Sequence, residues 1–443
     1  MQKEITAGNA VKADVLVLGA GIAGLQASLD LADEGYDVIL VEKGPSIGGR
    51  MINLSKVFPT LDCASCITTP RMASVAHHPR ILTLTFTEMR GLEKKAGGFT
   101  VKLEKKPRYV REALCIGCKR CEEECPVYAP DEYEHSLGAR KAISIPFTNA
   151  IPQYPVLDRK NCILCGSCAR ICPTAAVDYL QEPEALEVEA GAVLIATGWN
   201  LTPLDAKDQY GKGKFPNVIS PMQAERLLAP HGPYGGVMRP SDGRTPSSIA
   251  YVQCAGSRDR SLGVPYCSRV CCMYAIKQAM LLSGSLPVAD ITIYYMDIRA
   301  FGKGYEQFYQ NAKAMGINFV KAKVGRITGT DDDDLLLRIE RQEDQSLPEE
   351  ARHDLVVLSL GLVPSWDKEM SAVIPVEVAP DGFIHSPHPV EGPARTTVEG
   401  IFAAGTALGP KDIVDSIVEA SAAAMEITTF LKKIRGEKQD GSK

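Results

Sequence analysis

Eight of the 14 cysteines in this 443-residue chain repeat one spacing twice: Cys115, Cys118, Cys121 and Cys125-Pro126, then Cys162, Cys165, Cys168 and Cys172-Pro173. Disulfides would strain across loops this short, and zinc would need only four of these ligands. The C-x-x-C-x-x-C-x-x-x-C-P run instead has the spacing of thiolate ligands to a pair of [4Fe–4S] clusters. In such pairs each run gives three cysteines to one cluster and its fourth to the neighbour. The expectation is Cys115, Cys118, Cys121 and Cys172 on one cluster, and Cys162, Cys165, Cys168 and Cys125 on the other. An α+β ferredoxin-type segment over 107–183, with Pro-rich flanks, follows from this reading.

The N-terminal part carries a second constraint. Asp14–Gly19 reads as a buried strand, Gly21–Glu34 as a helix and Asp37–Glu42 as the next strand. The turn between the first two is Gly19-Ala20-Gly21-Ile22-Ala23-Gly24. In a G-x-G-x-x-G turn the first glycine permits the bend, the second lets a pyrophosphate approach the backbone at the helix N-terminus, and the third allows close helix–strand packing. Glu42 closes the second strand, where a carboxylate can accept from an adenosine ribose hydroxyl. The small residues after it, Lys43 to Gly49-Arg50-Met51, suit a flavin-side loop. Ala196-Thr197-Gly198 after a strand, and Gly405-Thr406 followed by Lys411-Asp412-Ile413 before a long helix, resemble the motifs of two-dinucleotide flavoproteins of the thioredoxin-reductase type. Those proteins usually carry Asp where this chain has Thr406. The fold expected is that two-dinucleotide α/β flavoprotein fold with FAD, interrupted by the ferredoxin segment. Its FAD part would span 1–106, 184–245 and 353–443, and a degenerate nucleotide domain 246–352.

Composition narrows the class. A net charge of −5 provides no basic field for nucleic acid, and no segment approaches the length of an apolar membrane span. Residues 1–11 are polar without an apolar core, so no signal peptide is expected, and dense cysteine then points to metal or redox work in a reducing cytoplasm.

After the strand Ser248–Gln253, where a second Gly-rich turn would cradle NAD(P)H, stands Cys254-Ala255-Gly256-Ser257-Arg258, followed by Cys267-Ser268-Arg269-Val270-Cys271-Cys272. The pyrophosphate cradle is missing. Zinc or buried free thiols remain open for these four cysteines on spacing alone. Cys63 and Cys66 form a separate C-x-x-C. They could complete a cluster with a partner's ligands, form a redox dithiol, or be inert.

The block Q-C-x-G-S-R followed by Y-C-S-x-x-C-C, the stretch Arg299–Tyr305, Gly409-Pro410-Lys411-Asp412-Ile413 and the inserted cysteine runs together resemble the flavin subunit of heterodisulfide reductase, along nearly the whole chain. The resemblance implies that Cys254, Cys267, Cys271 and Cys272 hold a third [4Fe–4S] cluster beside the flavin. It also implies flavin-based electron bifurcation within a multi-subunit complex, homodimeric at its centre. The implied partners are disulfide-reducing and iron–sulfur linker subunits, an electron-donating hydrogenase, formate or NADH dehydrogenase module, and ferredoxin. Full-length members carry an N-terminal domain and a C-terminal ferredoxin module that this chain is expected to lack. A similar protein accompanies ATP-independent benzoyl-CoA reductases, which makes electron transfer in that complex an alternative. A stand-alone NAD(P)H-dependent reductase is a second alternative, disfavoured by the missing cradle. Lys277, Lys411 and, more weakly, Glu225 are the candidates for tuning the flavin, because a cation beside the ring favours its reduced, anionic form.

Overall fold

The computed structural model describes residues 11–211, 213–342 and 347–436, so the polar lead at 1–10 lies outside the described residues. Two sheets organise these residues. In the first, Ile81–Thr85, Val38–Glu42, Val11–Leu18, Glu184–Ile195, Gly98–Lys105 and Thr87–Lys95 lie side by side in that order, and Ile401–Ala403 also pairs with Glu184–Ile195. Alternation decides the faces, since successive side chains on a strand point to opposite sides. Val15, Val17 and Leu40 pack under helices Ile22–Asp33 and Ile413–Ile434 through Leu25, Leu31, Ala423 and Ile427. Leu16, Leu18, Ile39 and Val41 face the other way, onto Phe99, Val101, Trp366 and Ile374. Burial on both faces explains why these strands are continuous apolar runs.

Register then brings the motifs together. Leu18 pairs with Val41 and with Ile195, and Ile195 with Ala403. The carboxyl ends of four strands thus deliver Gly19, Glu42, Ala196 and Ala404 to one edge of the sheet, which is where ligands bind in open α/β folds.

The second sheet runs Val218–Ile219, Leu355–Leu358, Ser248–Val252, Asp290–Tyr295, Asn318–Gly329, Leu335–Arg341, Glu349–His353. Its first five strands are parallel and its last two antiparallel. It reaches beyond the expected 246–352 stretch at both ends, because the parallel neighbours on one side of Ser248–Val252 come from segments before and after it. Helices Cys271–Ser285 and Tyr305–Ala314 cover it through Met273, Ile276, Ala279 and Phe308.

Residues 107–183 add no strand to either sheet. They form short hairpins and two five-residue helices, Arg120–Glu124 and Ser167–Ile171, around a small core of Val110, Ala142, Ile143, Leu157 and Ala176 with six of the cysteines. Each helix begins after a left-handed residue, Lys119 or Gly166, and ends at Cys125 or Cys172. The two cysteine runs therefore share one backbone design.

This segment is fastened to the loop after Glu42 and to its neighbours at several points. Arg108, 1% exposed, donates to Pro45 O and Thr85 Oγ1, both at 2.7 Å, and pairs with Glu112. Ser46 Oγ accepts from Ile151 N at 2.8 Å, and Tyr133 Oη donates to Ile52 O at 3.1 Å. Arg226, on helix Pro221–Leu228, forms a two-pronged pair with Glu134 at 2.8 and 2.9 Å.

Candidate functional site

At the sheet edge lies a cavity of about 1140 Å³. Its wall includes Gly19, Gly21, Ile22, Ala23, Glu42, Lys43, Gly49, Arg50, Met51, Ala196, Thr197, Gly198, Thr406, Lys411, Asp412 and Ile413, together with Glu225 and Lys277. Of the residues expected at the flavin, only Gly24 and Gly405 do not line it, and each adjoins residues that do.

The three glycines of the turn have separate reasons. Gly19 sits at φ +102°, in left-handed space, and a Cβ there would lie 2.5 Å from Ala196 O. A Cβ on Gly24 would lie 1.9 Å from Gly19 O, so the helix packs on the turn only without one. At Gly21 the nearest atom to a Cβ is Gly49 Cα, 3.9 Å away. No protein contact demands glycine at Gly21, and the residue lines the cavity at the start of helix Ile22–Asp33. That is what a pyrophosphate cradle requires.

Glu42 has work in the protein as well as toward a ligand. Its two oxygens accept from Ala20 N and Gly44 N, both at 2.8 Å, which fixes the turn and leaves lone pairs for a hydroxyl. Thr197 Oγ1, His135 Nε2 and Gln278 Oε1 belong to cavity-lining residues and are buried polar atoms with no protein partner. Buried polar groups are normally paired, so these three suit a ligand with polar edges. His135 is pushed down to about 4 by burial, with Arg50 and Arg226 adding to the shift, and stays neutral at physiological pH.

Lys277 and Glu225 meet on this wall. A capping box of Ser220 and Gln223 sets the start of helix Pro221–Leu228, on which Glu225 is buried. Lys277, 2% exposed, donates to Glu225 Oε1 and, at 2.8 Å, to Lys56 O. Glu225 also accepts from Ser55 N at 3.0 Å, Ser55 Oγ at 2.7 Å and Gln278 Nε2 at 2.5 Å. Burial alone would raise the Glu225 carboxyl, but Lys277 and these donors outweigh it and hold the group below the usual carboxylate range. Lys277 is therefore one half of a buried ion pair whose other half, Glu225, is also among the residues expected here. Lys411 is paired too, with Glu419 Oε2 at 2.5 Å, and the same oxygen accepts from Gly405 N at 2.7 Å. Sequence reasoning missed Glu419; its one signal was its place two turns beyond Asp412 in helix Ile413–Ile434. Asp412 caps that helix and accepts from Tyr305 Oη at 2.7 Å.

Cys254, Cys267, Cys271 and Cys272 gather beside this wall. Burial raises the Cys271 thiol, and the neighbouring Cys272, Cys254 and Cys267 raise it further. Cys272 is pushed up to about 11, first by burial and then by Cys254 and Cys267. Four sulfurs within electrostatic reach of one another form a thiol donor set of the kind an iron–sulfur cluster takes. Cys271 opens helix Cys271–Ser285, and one turn on, the cavity-lining Tyr274 donates to the carbonyl that Cys271 also reaches, Leu360 O, at 3.0 Å.

In the 107–183 segment, Cys125, Cys162, Cys165 and Cys168 line one small hollow, the set expected for one cluster. Cys115 is raised by burial, with Cys172 and Cys118 as its neighbouring charges. One turn recurs across the sets. Leu164 and Arg269, both left-handed, donate their N–H at 3.3 Å to the sulfurs of Cys162 and Cys267 two residues earlier. Gly117, at φ +66°, stands in the same relation to Cys115. N–H donors to sulfur stabilise cluster thiolates and tune their potential. Among the described residues no three His, Cys, Asp or Glu side chains converge on a single metal ion, and none of the helices is long and apolar enough to cross a membrane.

Comparison with known proteins agrees with this architecture. Residues 13–425 match the pyridine nucleotide-disulphide oxidoreductase family. The chain is 45% identical over 418 residues to an iron-sulfur subunit of the CoB–CoM heterodisulfide reductase of Methanocaldococcus jannaschii, covering 93% of this chain and 63% of that protein. It is 43% identical over 427 residues to the corresponding subunit of the H2:CoB–CoM heterodisulfide,ferredoxin reductase of Methanothermobacter marburgensis, covering 95% and 64%. It thus spans a little under two thirds of these relatives. Thioredoxin reductase of T. acidophilum shares the fold, with a TM-score of 0.54 at 15% identity over 94% of this chain and 98% of that one. A chain whose strand ends, glycine turn and near-complete match all agree in this way belongs to the pyridine nucleotide-disulphide oxidoreductase family, and along nearly its whole length it is similar to the A subunits of heterodisulfide reductases.

Proposed function

We propose that the chain is an FAD and iron–sulfur electron-transfer subunit of a heterodisulfide-reductase-like oxidoreductase. The observation that carries this reading is the contrast between the two sheets. In the first, a tight Gly19–Gly21 turn joins strand to helix at the edge of a cavity sized for a dinucleotide. In the second, the path from Val252 to Cys271 is a long loop bearing Cys254 and Cys267, and the helix opens on two cysteines instead of a glycine cradle. FAD bound in the cavity would supply two-electron redox chemistry. The protein's part is to hold the pyrophosphate on the Gly21 backbone, to steady the adenosine side through Glu42, and to present the Lys277–Glu225 and Lys411–Glu419 pairs to the ring side. Cys115, Cys118, Cys121 and Cys172, then Cys162, Cys165, Cys168 and Cys125, then Cys254, Cys267, Cys271 and Cys272 would each hold one [4Fe–4S] cluster. The shared sulfur turn at Cys115, Cys162 and Cys267 supports treating the third set like the first two.

In its fuller form the reading includes flavin-based bifurcation in a cytoplasmic complex. The partners would be disulfide-reducing and iron–sulfur linker subunits, a hydrogenase, formate or NADH dehydrogenase module, and ferredoxin. The M. marburgensis relative, whose name joins H2, heterodisulfide and ferredoxin, supports that extension. The test is anaerobic metal and flavin analysis of the purified chain. About 12 iron atoms and one FAD are expected, from three four-iron units, with loss of about four iron on Cys267→Ser. About eight iron with stoichiometric zinc would reassign the Cys254 set to zinc and leave the other two sets standing.

A further inference from the structure

Cys63 and Cys66 belong to none of these sets. Cys63 is the N-cap of the 14-residue helix Ala64–His77, and its Sγ accepts the Cys66 backbone N–H at 3.4 Å. Both thiols are free, Cys63 half-buried and Cys66 exposed. The Cys66 thiol is the first cause that lowers the Cys63 pKa, aided by the Cys66 and Ser65 N–H groups and by Lys56, whereas Cys66 is raised by Cys63. The asymmetry separates a nucleophile from its resolving partner, as a C-x-x-C at a helix N-terminus does. The placement is a second, independent feature. Cys63 is bridged antiparallel to Lys56, which lines the large cavity and whose carbonyl anchors Lys277. Bridged residues stand about 5 Å apart. The pair therefore sits one strand-width behind the cavity wall while Cys66 faces solvent.

We propose that Cys63 and Cys66 are a two-electron dithiol–disulfide couple that exchanges with a disulfide substrate at the surface beside the cavity. The Cys63 thiolate attacks one sulfur of the substrate disulfide, forms a Cys63–substrate S–S bond and expels the other half as a thiolate, which takes a proton. Cys66 loses its proton and attacks Cys63 Sγ, which closes the Cys63–Cys66 bond and releases the second substrate thiol. The substrate gains two electrons and two protons, and the dithiol loses the same.

The experiment uses the full chain, cofactor-loaded and anaerobic, equilibrated in glutathione buffers of increasing glutathione disulfide, acid-quenched, alkylated and mapped by peptide mass. The expected result is a single two-electron transition in which the peptide carrying both cysteines passes from doubly alkylated to unalkylated. Cys66→Ser should accumulate a Cys63–glutathione mixed disulfide, and Cys63→Ser should form its mixed disulfide at least ten-fold more slowly. Iron and flavin should be unchanged in both variants. Two outcomes overturn the proposal. One is a pair that stays doubly alkylated at every glutathione ratio, which the unaltered chain alone decides. The other is loss of about four iron in each variant, which would make the pair cluster ligands. The iron count of the unaltered chain tests the electron-transfer reading separately, so the two can fail independently.

Discussion

Replacing Lys277 with Met removes the positive half of a fully buried ion pair and leaves Glu225 on the cavity wall. Burial then favours the protonated carboxyl, whereas Ser55 N, Ser55 Oγ and Gln278 Nε2 still donate to the charged form and favour it; the expectation at pH 8 is a carboxylate that stays ionised. The cavity then faces one uncompensated negative charge. At an effective dielectric of about 20 and roughly 8 Å, a unit charge opposes the negative charge gained on flavin reduction by about 2 kcal/mol. For a two-electron couple, where about 30 mV corresponds to 1.4 kcal/mol, the flavin potential should fall by about 45 mV. The double variant Lys277→Met/Glu225→Gln removes both charges, and its potential should return to within about 15 mV of the parent. The assay is an anaerobic spectroelectrochemical titration of the flavin at pH 8, with flavin and iron loading measured on each sample. A potential that is unchanged or raised in the fully loaded single variant, or a double variant that stays low, refutes the claim that the pair presents a balanced charge to the flavin.

Gly21→Ala should fold normally, since its Cβ has 3.9 Å of room, yet lose FAD affinity by at least ten-fold; Gly24→Ala, with its Cβ 1.9 Å from Gly19 O, should lower thermal stability as well. Isothermal titration of the two apoproteins with FAD, beside their melting curves, separates these effects. The purified chain should show no saturable oxidation of NADH or NADPH, because a second pyrophosphate cradle is missing after Ser248–Val252; stopped-flow reduction at a rate typical of dedicated reductases would remove that reading. His353 is held at about 4 by burial and bridges Ser248 Oγ and Tyr294 Oη, both at 2.9 Å. Unfolded, it titrates near 6.5. The unfolded chain thus binds a proton that the fold refuses between those values, and about 3 kcal/mol of stability, fully present above pH 6.5, is lost as pH falls toward 4. Denaturant titrations across that window should show the loss, and His353→Gln should flatten it.

How far the sequence foretold this site depends on the distance over which each feature is set. The Gly19–Gly24 turn, Glu42, the twin cysteine runs and Ala196–Gly198 are local patterns, each fixed by a strand end or a tight loop, and each falls on the cavity or on one small core. The charge state of the wall is not local. Glu225 and Lys277 come from different helices and meet only because both helices pack toward Ser55 and Lys56. Glu419 reaches Lys411 only because the chain turns at Gly409-Pro410 before the last helix. The second sheet's outer strands, Val218–Ile219 and Leu355–Leu358, are short apolar runs with no partner in their own neighbourhood, so their membership is decided by tertiary pairing alone.

The fastenings between residues 107–183 and the loop after Glu42 bear on how electrons would cross. Arg108 grips Pro45 and Thr85, Ser46 exchanges hydrogen bonds with the Ile151 backbone, and Tyr133 reaches Ile52. A segment pinned at these separate points along its length cannot sweep like a tethered carrier. If clusters and flavin occupy the proposed sites, the gap between them would be a fixed tunnelling length, and the crossing rate should be indifferent to solvent viscosity and to the length of the Pro-rich flanks.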